Sequence, residues 1–148
     1  MPLIDSIVYI EEGRRHAAYA DPLTHSDPWT IGEGHTGPEV HEGLTWTDAQ
    51  IDAAKAADIA EATRECTKAF PWFAQLDPVR YAVLQSLMFQ LGPIRLGRFV
   101  HFLGAMRDQR WNAAAGELRN STLYRQCPAR TGRLARAVET GDSQWSTL

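Results

Sequence analysis

Cysteine is scarce in this chain: Cys66 and Cys127 are the only two and lie far apart, which argues against a disulfide scaffold and fits two reduced thiols. No apolar run approaches the ~18 residues of a membrane span, so stable membrane insertion is not expected. Residues 1–10, MPLIDSIVYI, lack a basic lead and a small-residue cleavage site, which predicts synthesis in a cytoplasm without an export signal. His16, His25, His41 and His101 fall at no metal-ligand spacing, and no metal site is expected. There is no linker, repeat or low-complexity tract. What remains is an ordinary globular composition, 148 residues with 44% hydrophobic and 22% charged. That length suits one domain burying roughly 70% of its unfolded surface, and most simply a monomer.

The net charge of −3 conceals an asymmetry. Residues 1–77 carry 14 Asp and Glu against 5 Lys and Arg, a balance of −9, while residues 78–148 carry 4 against 10, a balance of +6. Such halves can form two faces of a cleft, a surface that attracts anionic polymers, or merely solvated helix faces of mixed sign. The arginines between Arg95 and Arg136 are accompanied by no stacking platform or nucleic-acid motif, so nucleic acid is not an expected partner.

Helical signals dominate. Leu3, Ile4, Ile7 and Val8 share a helical face, and Gly13 suits the left-handed position after its end. Residues 14–36 are rich in Gly, Pro, Asp and Thr, with a short β-prone run at Trp29, Thr30 and Ile31, which predicts a small hairpin or meander. Thr47 and Gln50 predict a capping box opening a helix to about Lys68. Asp77 then caps a helix with Pro78 in its first position, Val79, Ala82, Val83, Leu87 and Leu91 facing inward, and Gly92 as its stop. Shorter helices are predicted at 97–107, 109–119 and 130–140, the last ended by Gly141. Trp72, Phe73 and Phe89 read as core. The fold class is α+β: one helix, a small sheet, then a helical bundle.

Within that order, YIEEGRRHAAYAD (9–21) stands out. Glu11 and Glu12 close the first helix and Asp21 follows across a turn. The two glutamates project about 100° apart, so only one can face a groove beside the hairpin. A carboxylate at a helix C-terminus meets the negative end of the dipole, which favours its protonated form. An acid kept protonated beside an ionised carboxylate is what glycoside cleavage requires. Carboxylate pairs at this spacing are common and usually solvated, so spacing alone leaves both readings open.

EEGRRHAAYAD followed by WTIGEGHTG resembles the active-site signature of the phage-type lysozymes, glycoside hydrolase family 24. FQLG (89–92) and PARTGRLARAVETGDSQW (128–145) resemble that family's later helix-ending and C-terminal motifs, so the likeness runs over nearly the whole chain. It implies a single lysozyme-like catalytic domain, with residues 1–45 as helix and sheet lobe and 46–148 as helical lobe. By the resemblance Glu12 is the general acid, Asp21 the second carboxylate and Thr30 the residue that holds the attacking water. Thr24 competes for the last role, but Thr30 has the matching context. His35 is implied to anchor the hairpin in an ion pair whose partner the sequence does not identify. Arg130 either holds the Glu12 carboxyl group or forms a surface salt bridge.

Two features depart from the family pattern. The loop PLTHSDPW between Asp21 and Thr30 is longer than usual, and Glu33 stands between the two glycines, where it is expected to point to water. The resemblance implies hydrolysis of the β-1,4 bond between N-acetylmuramic acid and N-acetylglucosamine in peptidoglycan, by inversion and without cofactor. Inversion needs a carboxyl separation of roughly 6.5–9.5 Å. It further implies an endolysin made in a host bacterial cytoplasm, released to the wall by a holin for host lysis. A lytic transglycosylase and a catalytically silent wall-binding domain are the alternatives; Asp21 with Thr30 counts against the first and an intact Glu12 against the second.

Overall fold

The computed structural model describes residues 2–22 and 24–145. Its elements run α1 (Leu3–Glu12), β1 (Arg15–Tyr19), β2 (Thr30–Gly32), β3 (His35–Thr36), α2 (Asp48–Ala69), a 3₁₀ turn (Phe73–Gln75), α3 (Pro78–Gly97), α4 (Val100–Arg107), α5 (Trp111–Arg119), α6 (Thr122–Gln126) and α7 (Pro128–Thr140). This is the expected α+β arrangement. β1, β2 and β3 form an antiparallel meander in that order, with Tyr19 opposite Thr30 and Ile31 opposite His35.

The helix boundaries follow from local chemistry. Thr47 Oγ1 accepts from the Gln50 backbone N–H while the Gln50 side chain accepts from that of Thr47, so the capping box is complete. At α3 the Asp77 side chain accepts from the Arg80 N–H and Pro78 takes the first turn, where its missing donor costs nothing. Gly92 stops the first helix as expected, at a non-helical φ of 77° and ψ of 170°, but a second short helix runs on from Pro93 to Gly97, so α3 is two helices joined at a kink. The helix expected at 97–107 accordingly begins later, at Val100. α6 was not expected; a five-residue helix under the Ser121 cap is too short to display a period.

One contiguous core fills the helical body. Phe73, Leu84, Leu87, Phe102, Met106, Leu118 and Leu134 are each at most 1% exposed. Ile7 of α1 joins them, and α1 packs on α3 as α2 does. Arg80 ties three helices together: its Nε donates to the Val138 carbonyl at 2.8 Å, its Nη1 pairs with Asp77 at 3.1 Å, and its guanidinium lies 4.0 Å from the Trp111 ring centre. Cys66 and Cys127 are free thiols. Burial pushes the Cys66 thiol up to about 12, so it behaves as a small core hydrophobe.

The junction between α1 and the sheet depends on Gly13. Its φ of 70° is positive as expected, but its ψ of −175° is extended rather than left-handed helical, a region open almost only to glycine. The chain therefore leaves α1 and enters β1 within two residues. An added Cβ would meet nothing within 4 Å, so the constraint is in the backbone alone. Gly13→Ala should lower unfolding free energy by about 1–3 kcal/mol in urea titrations; an unchanged midpoint would contradict this.

Candidate active site

Glu12 ends α1 and enters a cleft between the sheet and the helical body. Its Oε1 accepts from Arg130 Nη1 of α7 at 2.6 Å, with side chains only 20% and 13% exposed. Oε2 faces the turn between β2 and β3. A Cβ at Gly34 would sit 2.8 Å from Glu12 Cγ and 2.9 Å from Oε2, so only glycine lets that turn approach. The carboxyl group is thus bounded by a cation on one side and bare backbone on the other.

Glu11 also borders the cleft, but its carboxylate is bonded into the protein, in keeping with the 100° offset between neighbours. Arg133 donates to it through Nε at 2.7 Å and Nη2 at 2.9 Å, and the Trp145 indole N–H donates at 2.8 Å. Burial alone would raise the Glu11 pKa, but these bonds and the charges of Arg133 and Arg130 bring it below the usual value. The first glutamate is therefore a clamp between α1 and the C-terminal segment. Neither Arg133 nor Trp145 carries a legible signal for this role, beyond their place in the C-terminal motif.

The cleft, about 450 Å³, is lined by Glu11, Glu12, Asp21, Thr30, Gly34, Phe89, Gln90 and Arg130 among others. A second hollow of about 350 Å³ shares Gly34, Thr36 and Phe89 with it, so the groove continues past the β2–β3 turn toward Asp58, Glu61 and Glu65. Asp21 sits at the cleft edge in a closed turn: its N–H donates to the Ser26 carbonyl at 3.0 Å and its carbonyl accepts from the His25 N–H at 2.7 Å. Thr24 Oγ1 donates to the Asp27 carbonyl at 2.8 Å and lies 3.4 Å from Asp21 Oδ2. The longer loop thereby folds on itself, and Thr24 is not among the cleft-lining residues while Thr30 is. Leu23 of that loop lies outside the described residues.

Tyr19 also lines the cleft and stands opposite Thr30 in the β1–β2 register. Burial and then the Glu12 charge push its hydroxyl pKa up, against the opposing pull of Arg15 and Thr30. Phe89 packs on the core and lines the cleft, so the core reading captured half of its role. Arg130 Nε and Nη2 and Gln90 Oε1 are buried without a protein partner among the described residues. Gln90 was visible only as part of the FQLG motif.

Two residues behind the cleft hold the hairpin. Glu33 does not point to water: its side chain is 2% exposed, 2.7 Å from Arg14 Nη1 and 2.8 Å from Lys55 Nζ. Burying a carboxylate is costly unless cations meet it, and these two come from the link between α1 and β1 and from α2. His35 does not line the cleft. Its Nδ1 meets Asp58 at 2.7 Å and its Nε2 meets Glu39 at 2.6 Å, and Asp58, on α2, is the partner the sequence left unidentified. Partial burial would lower the His35 pKa, but Glu39 and Asp58 raise it above 6.5 overall. A raised native pKa stabilises the fold fully below about pH 6.5, and that contribution fades as pH rises through the native value. His35→Asn should flatten the thermal stability profile across that window; a slope equal to that of the unsubstituted protein would contradict the ion pair.

Residues 10–145 match the phage lysozyme family. Two Dictyostelium discoideum proteins are similar over 69 residues: probable T4-type lysozyme 2 at 35% identity and probable T4-type lysozyme 1 at 32%. Each alignment covers 47% of this chain and 41% of the relative, so less than half the length of either relative is matched. The match across 10–145, with the α+β fold, establishes that the chain belongs to the phage lysozyme family.

Proposed function

We propose that this protein is a muramidase that hydrolyses the β-1,4 bond between N-acetylmuramic acid and N-acetylglucosamine in peptidoglycan. The observation that supports this most is one cleft lined by an arginine-held glutamate, an aspartate and a threonine. In the proposed reaction Glu12, protonated, donates to the glycosidic oxygen as the bond to the anomeric carbon breaks. Asp21, ionised, stabilises the positive charge that develops on the sugar ring and draws a proton from the attacking water. Thr30 orients that water. Arg130 keeps the acid in place, and its remaining donors with Gln90 Oε1 offer hydrogen bonds to sugar substituents. The chemistry uses acid, base and water alone.

The groove's continuation toward Asp58 and Glu61 suits a polymer rather than a single sugar. In this reading the protein is a monomeric endolysin, made in the host cytoplasm of an infecting phage and reaching the wall through holin lesions to cause lysis.

Mass spectrometry of fragments released from purified peptidoglycan tests the reaction. Reducing, hydrated N-acetylmuramic acid ends are expected. Anhydro ends would indicate an internal cyclisation in place of water, and no fragments from folded protein would leave a wall-binding domain. Glu12→Gln should abolish release with folding intact. Asp21→Asn should cost at least ~100-fold, and Thr30→Val roughly 10–100-fold; retained activity in Glu12→Gln would overturn the assignment.

A further inference from the structure

Away from the cleft, a groove of about 410 Å³ lies where the end of α3 turns into α4 and meets α6. Arg95, Arg98 and Arg125 line it, together with His101, Phe99 and Val100. Among the described residues these three arginines form no ion pair; Arg125 only donates to Thr122 Oγ1, at 3.0 Å. Glu117 of α5 is the one acidic side chain in the lining. Of the other seven arginines of this half, Arg80, Arg107, Arg110, Arg119, Arg130 and Arg133 each have a carboxylate partner, and only Arg136, outside the groove, has none among the described residues. Leaving three guanidinia unpaired around one concavity creates a local anion-attracting field, although the whole chain is negative.

Apolar exposure coincides with this charge. Val100, in the lining, is 66% exposed, and Ile94, next to Arg95, is 74% exposed. They are the two most exposed large hydrophobic residues of the described structure, and both belong to the segment between the Gly92 kink and the start of α4. Guanidinium groups beside bare aliphatic side chains match an interface carrying phosphates over hydrocarbon. A phosphorylated glycan would satisfy the arginines and leave Ile94 and Val100 without purpose.

We propose that this groove is a peripheral docking site for the phosphate headgroups of an anionic lipid surface. Arg95, Arg98 and Arg125 contact the phosphates while Ile94 and Val100 enter the headgroup–acyl boundary. No helix spans the membrane in this mode. The site is separate from the cleft, and its lining contains none of the residues proposed for catalysis.

The test is co-sedimentation of the full chain with vesicles of phosphatidylcholine alone or mixed with phosphatidylglycerol. Binding only to the anionic vesicles, weakened by salt, is expected. The triple variant Arg95→Gln/Arg98→Gln/Arg125→Gln should bind them roughly 100-fold more weakly. Ile94→Ser/Val100→Ser, with charge unchanged, should lose roughly tenfold or more. Both variants should release peptidoglycan fragments at the unsubstituted rate, which separates failure here from failure of the muramidase reading. Absence of vesicle binding, or full binding by the arginine variant, would overturn the proposal. So would full binding by the Ile94/Val100 variant combined with displacement by a soluble glycerophosphate polymer, an outcome that assigns the groove to phosphate alone.

Discussion

The structure depends on how the last turn of α1 meets α7. Two consecutive glutamates project in different directions, and two arginines three residues apart on α7 receive them. Arg133 takes the buried Glu11 with both ends of its guanidinium, and Trp145 closes the third side. Arg130 takes one oxygen of Glu12 and leaves the other at the cleft. This contact joins the first and last helices across the chain, and it fixes where the acid of the proposed reaction stands. Both residues border the groove, yet they receive different tasks, because the Glu11 carboxylate is bonded on all sides by Arg133 and Trp145 while Glu12 keeps one oxygen free of such bonds.

The sheet is held against this junction by a second set of ions. Glu33 draws Arg14 and Lys55 inward, while His35 bridges Glu39 and Asp58. Both carboxylate clusters lie behind the β2–β3 turn, whose Gly34 presses on Glu12. Burial makes the Glu33 pairs costly to break singly, whereas the His35 pairs engage partly exposed carboxylates. The threonine of the cleft stands opposite Tyr19 of β1. Glycines at 13 and 34 supply what side chains cannot: the first lets the chain reverse at once, the second lets backbone touch the acid.

Local chemistry was readable from the sequence wherever a cap or period extends over several turns. The Thr47–Gln50 box and the Asp77–Pro78 start are complete within a few residues, and they stand as expected. α6 was hidden because five residues complete hardly more than one turn. Gly92 was legible as a stop, but one residue cannot reveal that Pro93 begins a second helix at once. Glu33 misled because its partners are remote: Arg14 lies 19 residues back and is delivered only when α1, the turn and α2 converge. Asp58, 23 residues from His35, was hidden for the same reason. In the cleft, the Glu12–Gly13 and Thr30–Ile31–Gly32 contexts were legible by resemblance. The separate duty of Glu11 was not, since a glutamate looks the same whether it will be clamped or free.

That division of duty between the paired glutamates is the central claim, and Arg130→Met compared with Arg133→Met tests it most directly. Turnover on peptidoglycan and unfolding free energy are measured for both. Arg133→Met strands a carboxylate whose side chain is 3% exposed, and should cost about 2–3 kcal/mol of stability while folded molecules keep their turnover. Arg130→Met releases a carboxyl group that borders the cleft, and should cost roughly 100-fold in turnover with the smaller loss of stability. Equal turnover in the two variants, or a greater stability loss in Arg130→Met, would contradict the account.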